Sequence, residues 1–134
     1  MCKSLIYVIN TDPGAIAAGG VISFNEIIRR CGNNCKLANN MLKIQGSGFY
    51  DVWASVTVSA AAEGPITLRM LQDGIPVPGA FDTENVETAA DVVTLQVKAP
   101  VRLEGGCIYS NSAISFELSA AATLQEASAE MIRI

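Results

Sequence analysis

A single-domain all-β sandwich is what this sequence predicts, on three observations. Apolar and polar residues alternate in roughly eight to ten short segments, spaced as sandwich strands are. No stretch longer than two turns carries a helical period. The longest unbroken alternation is GFYDVWASVTVSA at 48–60. Tyr50, Val52, Ala54, Val56 and Val58 fall on one side of it, and Phe49, Asp51, Trp53, Ser55 and Thr57 on the other. That second side is odd for a solvated one, because it holds Phe49 and the chain's one tryptophan. Such a strand predicts burial twice: once inside the fold, once against a partner.

The other elements follow in order. Residues 5–9 are an apolar run without alternation, the pattern of a strand covered on both faces. Asp12-Pro13-Gly14 is turn chemistry, since proline presets φ and glycine accepts positive φ. Small residues fill 15–20, and strands are expected at 21–24 and 27–30. Cys31-Gly32-Asn33-Asn34-Cys35 reads as a compact turn. Residues 41–45 make a strand with Leu42 and Ile44 toward the core. After a loop at 60–65, Ile66, Leu68 and Met70 alternate with Thr67, Arg69 and Leu71. Asp73-Gly74 signals a tight turn, and Pro76 and Pro78 allow at most an irregular edge. Residues 81–91 read as a polar, acidic connection. Val93, Leu95 and Val97 alternate again, and the pattern breaks at 100–106 before Cys107-Ile108-Tyr109. Ile114, Phe116 and Leu118 form a further strand. Residues 120–127 read as a loop or helical turn, and 127–134 close the chain with Ile132 and Ile134 on the buried side.

A chain of 134 residues is long enough for one core and too short for two. Half of it is hydrophobic, 16% is charged, and the mean hydropathy is +0.33. That is apolar for a monomer and predicts surface hidden by self-association. A net charge of −4 gives no basic footprint, so nucleic acid is not an expected partner. The chain has no histidine, which removes the commonest general base and zinc ligand. With no recognisable nucleophile or carboxylate pair either, neither catalysis nor a cofactor is expected. The start MCKSLIYVI lacks the apolar core of a signal peptide, and no segment approaches the ~20 apolar residues of a membrane span. Cytoplasmic synthesis without a membrane partner is the expectation.

The spacing around the long strand resembles that of the C1q/TNF-like trimeric jelly rolls. Their pattern is Phe, five residues, Asn or Asp, four residues, an aromatic or Leu, and six more to another Phe. Five residues later comes Gly-x-Tyr-x-Phe-x-aromatic. Here the register falls on Phe24, Arg30, Cys35, Leu42, Gly48, Tyr50, Val52 and Ala54, with every interval kept. Phe24, Gly48 and Tyr50 match in identity and Leu42 and Val52 in kind; Arg30, Cys35 and Ala54 depart. The opening SLIYVINT, Ile28-Arg29-Arg30, GFYDV and LQDGIPVPGA resemble, more closely still, short phage- and prophage-encoded C1q-like proteins without a collagen stalk.

The resemblance implies a homotrimeric jelly roll. Phe24, Leu42, Gly48, Tyr50 and Val52 would form its core motif, while Phe49, Trp53, Ser55 and Thr57 would face neighbouring subunits. Burying Trp53 there would remove up to ~200 Å² from water, worth several kcal/mol at ~25 cal/mol/Å² before association costs. It also implies a structural virion protein: a capsid decoration, or a head- or tail-fibre knob that assembles with capsid or other virion proteins. The rival expectation is a trimeric module for host-surface glycan or receptor, using loops 60–65, 81–91 and 110–112. Residues 1–20 would supply an N-terminal strand and an anchoring arm, and residues 21–134 the jelly-roll domain.

Two clusters are candidates for chemistry. Cys31 and Cys35 bracket three residues and would face each other closely enough for a disulfide, although a reducing compartment favours free thiols. A metal site would have to recruit Cys2 and Cys107, whose spacing lacks the two close pairs of a zinc site. The family register puts Cys35 in a core position, which implies a buried thiol. Asp82, Glu84, Glu87 and Asp91 crowd one connection, but match no calcium loop and read first as a solvated acidic stretch.

Overall fold

The computed structural model describes residues 4–104 and 111–134. Its strands are β1 (Leu5–Ile9), β2 (Ala15–Ile16), β3 (Glu26–Cys31), β4 (Cys35–Ala38), β5 (Met41–Gln45) and β6 (Gly48–Ala60). After them come β7 (Gly64–Gln72), β8 (Ile75–Val86), β9 (Val92–Leu103), β10 (Asn111–Leu118) and β11 (Ala122–Arg133). They form two antiparallel sheets. The first runs β3-β1-β11-β6-β9 with β2 added to β11, and the second β4-β5-β10-β7-β8.

The core lies between the sheets because each strand alternates. From the first sheet come Ile6, Val8, Tyr50, Val52, Ala54, Val56, Val58, Leu95 and Met131. From the second come Leu42, Ile44, Leu68, Met70, Ile114 and Phe116. Phe24 packs edge-on against Phe116, with ring centroids 6.0 Å apart. Side chains of this size, fully buried, each contribute about 1.5–3 kcal/mol relative to exposure.

Several expectations need correction. Residues 21–24 are not a strand but a single bridge, Val21 to Glu117, with Ile22 and Phe24 tucked into the core. Residues 81–86 belong to β8, and β9 runs on through Pro100 to Leu103. The prolines are tolerated because β8 and β9 are edge strands, where a missing N–H leaves no neighbour unpaired. The turn between β7 and β8 has Asp73 and Gly74 both at positive φ, 52° and 81°. Residues 122–127 are strand, not loop or helix. A register shift between Leu124 and Glu126 separates the inward Leu124 and Ala127 by three positions, which hides the alternation. That places Met131 in the core, leaves Ile132 half-buried, and leaves Ile134 69% exposed.

Within the segment expected to supply an N-terminal strand and an anchoring arm, the described residues pair with both sheets. β1 lies between β3 and β11, and β2 pairs with the start of β11. The chain then crosses to β10, where the Gly19 and Ile22 N–H groups donate to the Leu118 and Phe116 carbonyls at 2.8 Å each. At the end of the sandwich where β6 begins, Asn34 is the knot. Its side-chain amide donates to the Gln45 carbonyl at 2.7 Å, and its Oδ1 accepts from Ser4 Oγ at 2.8 Å. Gly32, at φ +74°, lies so close to Ser4 that an added Cβ would sit 2.9 Å from its Cα.

Candidate subunit interface

The outward face of the first sheet is built row by row from its cross-strand register. One row reads Arg29, Tyr7, Glu130, Trp53 and Lys98 across β3, β1, β11, β6 and β9. The row below reads Cys31, Leu5, Ile132, Asp51 and Pro100, and the row above contains Ile9, Ser128, Ser55 and Gln96. Trp53 therefore sits near the middle of the sheet, half-buried by its neighbours, with its outer surface open. Phe49, 52% exposed, lies at the lower rim under the Arg102 guanidinium, 5.4 Å from the ring centroid. Toward the other end the face turns to hydroxyls: Thr57 and Thr94 share a hydrogen bond of 2.9 Å. A Lys98–Asp51 ion pair of 3.5 Å crosses β6 and β9 at the surface and contributes little.

Of the interface candidates, Phe49, Trp53, Ser55 and Thr57 thus stand on one face, and Tyr50 and Val52 point the other way into the core. Sequence reasoning missed Leu5, Tyr7, Ile9 and Ile132, which extend this face over β1 and β11. The missing signal is long-range pairing, which no local period carries. The result is a broad, shallow, mixed surface. It suits another protein surface better than a small molecule.

Gly48 and Tyr50 set the start of β6. The Tyr50 hydroxyl donates to the Gly46 carbonyl at 2.7 Å. Gly48 takes φ +142°, and a Cβ there would press on the Arg133 guanidinium at 3.3 Å. Arg133 itself donates to the Ser47 carbonyl at 2.9 Å. The tight Gly-x-Tyr entry is therefore a backbone requirement, not a binding feature.

The cysteine pair does not form. Cys35 is a free thiol in the core, whereas Cys31 is disulfide-bonded elsewhere. The expected hairpin is absent: β3 and β4 belong to different sheets, and β4 turns Cys35 into the core. The metal alternative involving Cys2 and Cys107 falls outside the described residues. Burial pushes the Cys35 thiol up to about 11, against an opposing pull from Arg133 and Arg30. Burial raises the Tyr50 phenol in the same sense.

A thiol whose folded pKa exceeds its unfolded value favours the folded state while it stays protonated. Stability from Cys35 is thus full below pH 9.0 and lost between 9.0 and about 11. Urea midpoints should fall over that window, and Cys35→Ala should flatten the fall. A slope unchanged by the substitution would contradict the assignment.

The acidic candidates are spread along one edge. Asp82 accepts the Gln96 N–H at 2.9 Å, tying β8 to β9 across the sandwich edge. Glu84 follows on β8, and Glu87 and Asp91 lie in the connection to β9. Among the described residues, no group of three or more acidic or thiol side chains is placed to hold a metal ion. The candidate recognition loops also separate. Residues 61–63 and 87–91 share the end where β6 finishes, joined by the Ala60 N–H donating to the Asp91 carbonyl at 3.1 Å. Ser112 lies at the opposite end, hydrogen-bonded to Asp73 at 2.5 Å, and Ser110 lies outside the described residues.

No family model matches the chain, and no curated protein matches it in sequence. Solved structures do resemble it. Murine APRIL superposes with a TM-score of 0.78 at 9% identity, over 99% of this chain and 100% of that one. The globular domain of zebrafish complement 1qA protein gives 0.69 at 12%, over 98% of each. PRD1 vertex protein P5 gives 0.69 at 13%, over 100% of this chain and 99% of that one. Two antiparallel sheets in this order define a jelly roll. The particular jelly roll is the C1q/TNF-like one, and at these identities the fold is what is shared.

Proposed function

We propose that this chain is a structural protein of a phage virion, a homotrimer serving as a capsid decoration or as the knob of a head or tail fibre. One observation carries the self-association. The face centred on Trp53 carries half-buried Tyr7 and Ile132 and exposed Phe49 across three strands, β1, β11 and β6, of a fold shared with C1q/TNF-like domains. The virion reading is supported by the resemblance of SLIYVINT, Ile28-Arg29-Arg30, GFYDV and LQDGIPVPGA to short phage-encoded C1q-like proteins and by the shared fold of a vertex protein. Its partners are then a second and third copy of itself and capsid or other virion proteins. Native mass spectrometry of the purified chain tests the trimer, and mass spectrometry of purified particles from the producing strain tests the location. A chain absent from particles would end the virion reading.

A polar cleft of about 490 Å³ beside the N-terminal segment favours a second role in glycan recognition. Asn10, Asp12, Asn25 and Asn40 line it, and the small Gly14 and Ala17 leave it open. A glycan array probed with the wild type and with Asp12→Ala tests this. Binding that survives the substitution, or no binding at all, would remove the cleft from consideration.

A further inference from the structure

Two opposite edges of the sandwich carry charges of opposite sign. Arg29 and Arg30 stand on the edge strand β3, and Lys36 and Lys43 face each other across β4 and β5 beside it. Of these four, none has a carboxylate partner among the described residues, and Glu26 at the start of β3 is the one carboxylate on these three strands. By contrast, Lys98 and Arg102 on β9 do have partners, Asp51 at 3.5 Å and Glu104 at 3.2 Å. Along the far edge, Asp82 and Glu84 project from β8, with Glu87 and Asp91 above them. A net charge of −4 is therefore not spread evenly. One flank is basic and the other acidic.

The heights of the two sets nearly match. Arg29 lies in the row of Trp53, and Asp82 binds the N–H of Gln96, which lies in the row of Ser55. Two residues of strand separate those rows, roughly 7 Å. We infer that copies of this chain join edge to edge by charge, the β3 flank of one meeting the β8–β9 flank of the next. This rests on the homotrimer reading and adds to it which edges meet. A basic edge meeting an acidic one is a heterologous contact, and it closes a ring when the rotation between copies is right. Both sheets' edge strands are then covered, which also blocks edge-to-edge strand pairing with other chains. Steering by complementary flanks selects the correct neighbour and disfavours the reversed one, where like charges would meet.

Charge reversal tests this in a way that separates it from the trimer itself. Two variants are made: Arg29→Glu, Arg30→Glu, Lys36→Glu and Lys43→Glu together, and Glu84→Lys, Glu87→Lys and Asp91→Lys together; a third chain carries all seven changes. Asp82 is left in place because it holds Gln96. Circular dichroism first establishes that each is folded. Mass is then measured by sedimentation at about 0.05 M and about 0.5 M salt, where screening lengths differ about threefold.

The expected result is a wild-type trimer that weakens about tenfold or more at high salt. Each single-flank variant should dissociate, and the seven-site chain should regain the trimer. Mixing the two single-flank variants pairs a chain with two acidic flanks with a chain with two basic ones. Those alternate, so they should form dimers or even-membered rings but no three-membered ring. A wild-type trimer indifferent to salt and to both reversals would overturn the edge pairing and leave the trimer standing. A wild type that is monomeric at both salts would overturn the trimer reading and the pairing with it.

Discussion

Trp53→Asp is expected to turn the proposed trimer into a monomer that keeps its β-sheet circular dichroism. Trp53 lies on the outward face of β6, flanked by Glu130 on β11 and Lys98 on β9. An indole removed from water at a subunit interface contributes several kcal/mol at ~25 cal/mol/Å², from up to ~200 Å². Aspartate forfeits that and adds a charge that must be desolvated, beside the existing carboxylate of Glu130. In the proposed trimer three copies lose the contact at once, and every ~1.4 kcal/mol lost is about tenfold in affinity. The core is untouched, because Val52 and Ala54 on either side point inward and are fully buried. Light scattering reads the mass and urea titration reads the fold. A Trp53→Asp trimer of unchanged mass would show that this face is not the interface, whatever the edges do.

How much of this was legible beforehand divides along a physical line. Strand β6 was readable to its ends because all thirteen residues of 48–60 alternate without a bulge. So were β5 and the Asp73-Gly74 turn, where local chemistry decides the conformation. Strand β11 was not, because its bulge near Gln125 breaks the period and its alanines carry little hydrophobic signal. The strand exists because β6 offers it a ladder from Ala60 to Tyr50. Strand β9 was cut short because Pro100 was taken as a terminator, and β8 because 76–79 was allowed only an irregular edge and 81–91 looked like a polar connection; sheet order makes both of them full edge strands. The same holds for the face. Trp53 and Phe49 announced it, but Tyr7 and Ile132 join it through pairings more than a hundred residues apart in the chain, as Ile6 with Met131 illustrates. Cys31 and Cys35 failed as a pair for a related reason: spacing suggested a hairpin, but β3 and β4 belong to different sheets.

Tyr50 should respond quite differently from Trp53, three residues away on the opposite face. Its ring is fully buried between the sheets, and its hydroxyl ties the Gly46 carbonyl at 2.7 Å. Tyr50→Ala leaves a large cavity among Val52, Leu42 and their neighbours, and should cost about 3–5 kcal/mol, by analogy with other aromatic truncations. That is a third or more of the stability of an average domain of ~10 kcal/mol. Tyr50→Phe keeps the ring and removes only the hydrogen bond, leaving the turn at Gly46 to find water, and should cost about 1 kcal/mol. The ordering separates two roles of the Gly-x-Tyr entry: filling the core, and anchoring the turn that sets the register of β6. Equal losses from the two substitutions would mean that the hydroxyl, not the ring, carries the position. Because β6 is shared between core and interface, Tyr50→Ala should lower the trimer's yield only through unfolding, with no folded monomer accumulating. Trp53→Asp should accumulate that monomer, with a urea midpoint lowered only by the association it has lost. A folded, stable monomer from Tyr50→Ala would show that the two faces of β6 are not divided as its alternation implies.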